Sequence, residues 1–169
     1  MCTADLTIRE ATGDDAALLL ALICELAAYE NLAHAVVATE EQLRHWLFGE
    51  RPAAEVLIAE LAGEPVAFAL FFPSFSTFLG RPGIYLEDLF VREAWRGRGI
   101  GKSLLARLAY LAVERGCGRL EWSVLDWNRP AIDFYRALGA QPLDDWTVFR
   151  LTGEQLATLA ASAATALVP

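Results

Sequence analysis

Histidine is scarce in this chain: His34 and His45 are the only two in 169 residues. That is too few for most zinc or iron sites, and it leaves no Ser-His-Asp machinery to assemble. Cysteine is scarce as well. Cys2, Cys24 and Cys117 are odd in number and far apart, without the close spacing of a disulfide framework or a metal cluster, so they read as reduced thiols and no metal is expected. Positive charge is in short supply: 14 Lys+Arg stand against 22 Asp+Glu, a net charge of −8. Such a balance excludes a phosphate-neutralising surface for DNA or RNA and favours small cationic partners. Long apolar runs are missing too. A membrane-spanning helix needs about 20 mostly apolar residues, whereas the longest run here, Ala16 to Cys24, is closed by Asp15 and Glu25. The opening MCTADLTIRE has neither the basic start nor the apolar stretch of a signal peptide, which predicts a cytoplasmic protein with no membrane partner. What the chain does have is 55% hydrophobic and 21% charged residues, enough to bury one core of ordinary domain size.

Hydrophobic periodicity predicts a strand over Leu6–Glu10 and a helix carrying Leu19, Leu22, Ile23 and Leu26 that ends near Tyr29-Glu30-Asn31. A capping box, Thr39 with Gln42, opens a second helix that runs to about Phe48. Two apolar runs, Val56–Leu61 and Val66–Phe72, read as a hairpin of buried strands around Ala62-Gly63-Glu64-Pro65, and Ile84–Val91 as the next strand. After the turn Arg96–Lys102 comes a helix from Ser103 to Arg115 with Leu104, Leu108, Leu111 and Ala112 on one stripe. Arg119–Leu125 reads as a strand, Asn128-Arg129-Pro130 leads into a helix stopped by Gly139, and Val148–Leu151 reads as a last strand before an Ala-rich tail. The order β-α-α-β-β-β-α-β-α-β plus a C-terminal helix predicts one α/β domain over 1–169, a mixed central sheet flanked by helices. Its core spans about 6–151 and its helical tail 152–169.

The segment Arg96-Gly97-Arg98-Gly99-Ile100-Gly101-Lys102 joins a strand to a helix and brings backbone N–H groups to the positive end of the helix dipole, a cradle for phosphate. A dinucleotide fingerprint requires G-x-G-x-x-G, and the glycines here run G-x-G-x-G. A P-loop requires G-x-x-x-x-G-K-[ST], and Gly97 stands one residue too close to Gly101-Lys102-Ser103. A bare turn would account for one or two glycines, but not for three among Arg96, Arg98 and Lys102. The remaining pattern, R-x-x-G-x-G, resembles the pyrophosphate loop of coenzyme A-dependent N-acetyltransferases of the GNAT superfamily.

The likeness extends well beyond the loop. Glu25–Glu30 (ELAAYE), Tyr85–Val91 (YLEDLFV), Asp126-Trp127-Asn128, Ile132–Tyr135 and Leu138-Gly139-Ala140 resemble the diamine (spermidine/spermine) and thialysine N-acetyltransferase branch, from about Ile8 to Leu151. The resemblance implies a GNAT-type domain that binds acetyl-CoA and acetylates a small primary amine such as a polyamine, a diamine or a thialysine-like amino acid. It also implies a homodimer, an expectation to which Phe71, Phe72, Phe75 and Phe78, crowded near one loop, lend support. By the same likeness Leu89, Phe90 and Val91 would pair with the pantetheine arm, and the Leu89 N–H would polarise the acetyl carbonyl. The loop Arg96, Gly97, Arg98, Gly99, Ile100, Gly101 and Lys102, with Asn128 and Arg129, would hold the rest of the coenzyme. Tyr29, Glu30, Trp127 and Asp145 match positions that line the amine cleft. A non-catalytic acyl-CoA-binding module and a protein or peptide N-acetyltransferase are the alternatives. The residues Glu121-Trp122-Ser123 and the short stretch Gln141–Asp145 depart from the eukaryotic members, whereas VLDWN with ALGAQ leans towards the thialysine subgroup.

Acetyl transfer to an amine needs a base for the ammonium, donors for the developing oxyanion and an acid for the departing thiolate. Glu87 is a carboxylate inside an apolar strand, a costly placement without a partner unless the position has access to water. Strand alternation predicts Glu87 and Asp88 on opposite faces, so that at most one faces a given cleft; the resemblance makes Glu87 the base and amine ligand, which leaves Asp88 to read as a structural residue. Tyr135 shares a helix face with Ala131, Phe134 and Leu138, as a core aromatic would. The resemblance instead makes it the acid that protonates the thiolate and a contact to the coenzyme.

Overall fold

The computed structural model describes residues 5–166; Cys2 and the last residues of the predicted tail lie outside them. They form two compact units, one ending at Ser123 and one starting at Val124. The first unit holds β1 (Leu6–Glu10), α1 (Ala16–Tyr29), α2 (Glu40–Phe48), β2 (Glu55–Leu61), β3 (Glu64–Ser76), β4 (Arg81–Val91), α3 (Ile100–Glu114) and β5 (Leu120–Trp122). The sheet order follows the chain, β1-β2-β3-β4-β5. The first four strands are antiparallel and β5 is parallel to β4.

The apolar runs are continuous because both faces of the sheet are covered. Val56, Ile58, Phe68 and Phe90 pack with Leu19, Leu22 and Leu26 of α1 and Leu47 of α2. The residues of opposite parity, Leu57, Ala59, Ala67, Ala69, Phe71 and Leu86, are equally buried, and so is the predicted stripe of α3, Leu104, Leu108, Leu111 and Ala112. Of the aromatics tied to a dimer expectation, Phe71 is fully buried, whereas Phe75 and Phe78 stand exposed at the β3–β4 hairpin.

Caps explain where the helices stop and start. Thr39 and Gln42 form the expected box: Gln42 N–H donates to Thr39 Oγ1 (3.2 Å) and Thr39 N–H to Gln42 Oε1 (2.9 Å). At the other end of α1, Asn31 takes a φ of 61°, and the N–H groups of Asn31 and Leu32 donate to the carbonyls of Ala28 and Ala27. That closure fixes Tyr29 and Glu30 at the helix terminus.

Several boundaries differ from the sequence reading. The β2–β3 connection is a two-residue turn, Ala62-Gly63, with φ of 53° and 81°, so Glu64 and Pro65 already belong to β3. Arg81-Pro82-Gly83, expected in a loop, opens β4, because pairing with Ser74–Ser76 outweighs the local preference of proline and glycine for a turn. Ile100-Gly101-Lys102 forms the first turn of α3 rather than continuing the loop, and β5 is three residues long instead of seven.

The second unit contains α4 (Arg129–Ala137) and α5 (Gly153–Ala166). Asn128 caps α4, its Oδ1 accepting from Ala131 N–H at 3.3 Å. Gly139, at φ 91°, closes the helix with bonds from Gly139 and Ala140 N–H to the carbonyls of Arg136 and Tyr135. The predicted last strand over Val148–Leu151 is not formed. Four residues interrupted by Arg150 make a strand only when their backbone groups find a ladder partner, and here Val148 and Phe149 remain exposed.

Candidate active site

β4 is paired along its whole length on one side only. β5 reaches Ile84, Tyr85 and Leu86 and goes no further, so among the described strands nothing lies opposite Glu87–Val91 on that side. The direction of each backbone group follows from the register. Ile84 N–H donates to Arg119 carbonyl on the β5 side (3.1 Å), so Tyr85 bonds towards β3. Arg92 N–H returns to Val66 carbonyl on the β3 side (2.9 Å). Asp88 and Phe90 share that parity, and Leu89 and Val91 aim their N–H and C=O groups at the open side. An extended chain laid there would find the N–H and C=O of Leu89 and the N–H of Val91, the Val91 carbonyl being engaged by Arg96 Nε, a pattern suited to strand addition.

A bulge interrupts β4 between Leu86 and Asp88: Phe71 faces Leu86 and Leu70 faces Asp88, leaving Glu87 without an opposite residue. Alternation therefore does not carry through Glu87-Asp88, which corrects the expectation that these carboxylates take simple opposite faces. Phe72, Leu70 and Phe68 point to one side of the sheet, so their partners Tyr85, Asp88 and Phe90 do too. Glu87 is exposed and Asp88 half-buried. Burial, and then the negative charges of Glu87 and Glu30, push the Asp88 carboxyl up to about 6. Burial also raises Glu30. Three carboxyls from the end of α1 and the middle of β4 thus share one electrostatic neighbourhood. The sequence points to Glu30 and Glu87; Asp88, expected to be structural, joins them as a carboxyl raised well above the ordinary range by burial and its acidic neighbours. The available signal was the pair of adjacent carboxylates inside an apolar strand.

The glycine loop has the geometry its composition suggests. Gly97 and Gly99 sit at φ 74° and 82°, and a Cβ at either would meet no atom of the chain within 4 Å. Their requirement for glycine is thus one of backbone conformation, and it leaves the outer side of the loop open to a ligand. The first bond inside α3 runs from Ser103 N–H to Gly99 carbonyl (2.9 Å), so Ile100, Gly101 and Lys102 present N–H groups without intrahelical partners at the positive helix end. A diphosphate fits this donor set. Arg98 lies over the Trp95 ring, 4.7 Å from its centroid, and the Lys102 side chain is exposed. Arg96 is turned the other way. Its Nε donates to Val91 carbonyl (2.9 Å) and its guanidinium lies 4.1 Å from the centroid of the Tyr29 ring. It borders a cleft of about 330 Å³ with Glu25, Tyr29, Phe90 and Glu93.

The remaining candidates belong to the second unit. Asn128 is buried at the cap of α4, Arg129 begins that helix exposed, and Tyr135 is half-buried with its ring 5.3 Å from that of Phe134. Trp127 and Asp145 are exposed. No group of three or more His, Cys, Asp or Glu among the described residues could hold a metal ion, and no helix among them is long and apolar enough to cross a membrane.

A sheet with an open half-strand, a glycine loop and a helix N-terminus in succession is the acyl-CoA frame of one protein class, and the comparisons agree. The acetyltransferase (GNAT) family model matches residues 22–140. The chain belongs to this family: it is an N-acetyltransferase, its two compact units are parts of one GNAT domain, and the family's donor is acetyl-CoA. Among its relatives is a thialysine N-epsilon-acetyltransferase of Bos taurus, 44% identical over 164 residues, covering 90% of this chain and 96% of the relative. An L-ornithine N5-acetyltransferase of Arabidopsis thaliana is 36% identical, covering 88% and 85%. Among solved structures, an integron cassette protein from the mobile metagenome of V. cholerae superposes with a TM-score of 0.78 at 28% identity, covering 92% and 98%.

Proposed function

We propose that this enzyme transfers the acetyl group of acetyl-CoA to the terminal primary amine of a small cationic amino acid of the thialysine or ornithine type. The observation that carries the reading is the negative neighbourhood that Glu30 and Glu87 make around Asp88, beside the bulge where β4 loses its second partner. An ammonium group is drawn to such a cluster, and the relatives named above act on amines of this kind. Polyamines and diamines are further members of the same acceptor class.

In this reading the Gly97–Lys102 backbone binds the diphosphate, Arg98, Lys102, Asn128 and Arg129 steady the coenzyme, and Leu89–Val91 hold its extended arm. Tyr29, Glu30, Trp127 and Asp145 line the acceptor side. Glu87, through water and with Asp88 beside it, takes the proton of the bound ammonium, and the freed amine attacks the thioester carbonyl carbon. Leu89 N–H donates to the carbonyl oxygen as negative charge grows there. As the C–S bond breaks, Tyr135 supplies the proton that the departing sulfur needs, and the phenolate so formed recovers one from the attacking nitrogen, which sheds its second proton to become the amide. A cytoplasmic homodimer is part of the proposal.

The test is release of free thiol from acetyl-CoA in the presence of thialysine, ornithine, lysine, spermidine, putrescine and an aminoglycoside. Thialysine, lysine and ornithine should give the highest kcat/KM. No release with any amine, or release with the aminoglycoside alone, would overturn the reading.

A further inference from the structure

Tyr85 is held more firmly than a half-exposed strand residue needs to be. Its ring stacks on Phe72, with centroids 5.3 Å apart and planes 29° apart, and its hydroxyl shares a 2.8 Å hydrogen bond with Ser123 Oγ. Phe72 is itself seated against the core cluster under α1 and α2, so the pair stands on a rigid base. The bulge then decides what the ring faces. In an unbroken strand Tyr85 and Asp88, three positions apart, would lie on opposite faces; the extra residue brings them to the same face, opposite Phe72 and Leu70. A flat aromatic surface and a carboxyl are thereby set in line along one strand. A primary amine with an apolar stem has the same two parts in the same order, a cationic head and a greasy shaft.

From this placement we infer that Tyr85, backed by Phe72 and anchored through Ser123, is a specificity-determining residue of the acceptor site, carrying the uncharged stem of the acceptor while the carboxyls hold its amine. The inference rests on the acceptor reading given above and adds to it the class that is favoured: α,ω-diamino acids with several methylene or thioether atoms between the terminal amine and the far end. An aromatic face receives methylene by burial and sulfur by a favourable S–aromatic contact.

The test is the dependence of kcat/KM on stem length along 2,3-diaminopropionate, 2,4-diaminobutyrate, ornithine and lysine, which adds one methylene per step. Each buried methylene is worth about fourfold, so the unaltered enzyme should gain steeply along the series. In Tyr85→Ala the gain per methylene should fall to about twofold or less, with KM for acetyl-CoA unchanged. Tyr85→Phe, which keeps the ring, should keep the slope. If Tyr85→Ala does not fold, Tyr85→Thr, β-branched and suited to a strand, carries the same test. A slope unaltered by loss of the ring, or an equal loss for every acceptor, would overturn the inference. Absence of transfer to any amine by the unaltered enzyme would instead overturn the acceptor reading itself, a separate outcome.

Discussion

Asp88 should cost the folded protein stability at neutral pH, and removing its charge should return that stability. The carboxyl is raised from an ordinary 3.8 to about 6, first by burial and then by Glu87 and Glu30. In the unfolded chain it ionises near the ordinary value, so between the two values the folded state binds the extra proton. Stability therefore declines as pH rises through this window, and above about 6 the native state carries the full cost of the charge. Two pKa units correspond to about 3 kcal/mol. Asp88 keeps some contact with water and its neighbours can relax, so about 1–2 kcal/mol is the working expectation. For a domain of this size that is a rise in Tm of roughly 3–8 °C for Asp88→Asn. Thermal melts followed by circular dichroism at pH 7.5 and pH 4.5 make the check. The gain should be largest at pH 7.5 and shrink to roughly a third of that at pH 4.5, where wild-type Asp88 is mostly protonated in the folded state. No gain at pH 7.5, or a gain equal at both pH values, would refute the reasoning. The same variant should lose kcat/KM for the amine, so that stability and activity move in opposite directions.

Gly99→Val forces a β-branched residue to a φ of 82° and should lower stability by about 1–3 kcal/mol, while abolishing the rise in Tm that acetyl-CoA gives the unaltered protein in a thermal-shift titration. Tyr135→Phe should cut kcat by a factor on the order of 10²–10⁴ with Tm and acetyl-CoA affinity preserved; near-normal turnover would leave Tyr135 as a packing residue beside Phe134. Glu87→Gln should depress the rate most at low pH, where the acceptor is an ammonium, and recover in part as rising pH supplies free amine, whereas an equal loss across a pH–rate profile would make Glu87 a binding group.

The glycine loop and the helices were legible in the sequence because local chemistry governs them. Gly97 and Gly99 need positive φ, Thr39 with Gln42 writes its own cap, and the stripe Leu104, Leu108, Leu111 has helical period. Strand extents were less legible, since a ladder is a property of two segments: Arg81-Pro82-Gly83 reads as a loop until Ser74–Ser76 is set beside it, and Val148–Leu151 reads as a strand although no partner claims it. The bulge at Glu87 was beyond local reading for the same reason. It is fixed by how Leu70 and Phe71 align with the other strand, and with it go the face that Asp88 occupies, its raised pKa and its alignment with Tyr85. Arg96, read as a phosphate ligand from its motif, spends its Nε on Val91 carbonyl and its flat face on Tyr29, a residue 67 positions away that no motif records.

The open half of β4 has a further consequence, one of colloidal behaviour. A stretch of unpaired strand is the place where a sheet recruits strands from other molecules, and most sheets confine that hazard to their outer margins. Here the unpaired stretch begins at Glu87-Asp88. A foreign strand zipping onto Leu89–Val91 from its own copy of this sequence would bring like carboxylates together, and the repulsion works against the first step of self-association. The acidic pair thus works against completion of the sheet by a second copy of the chain at the very point where its pairing stops.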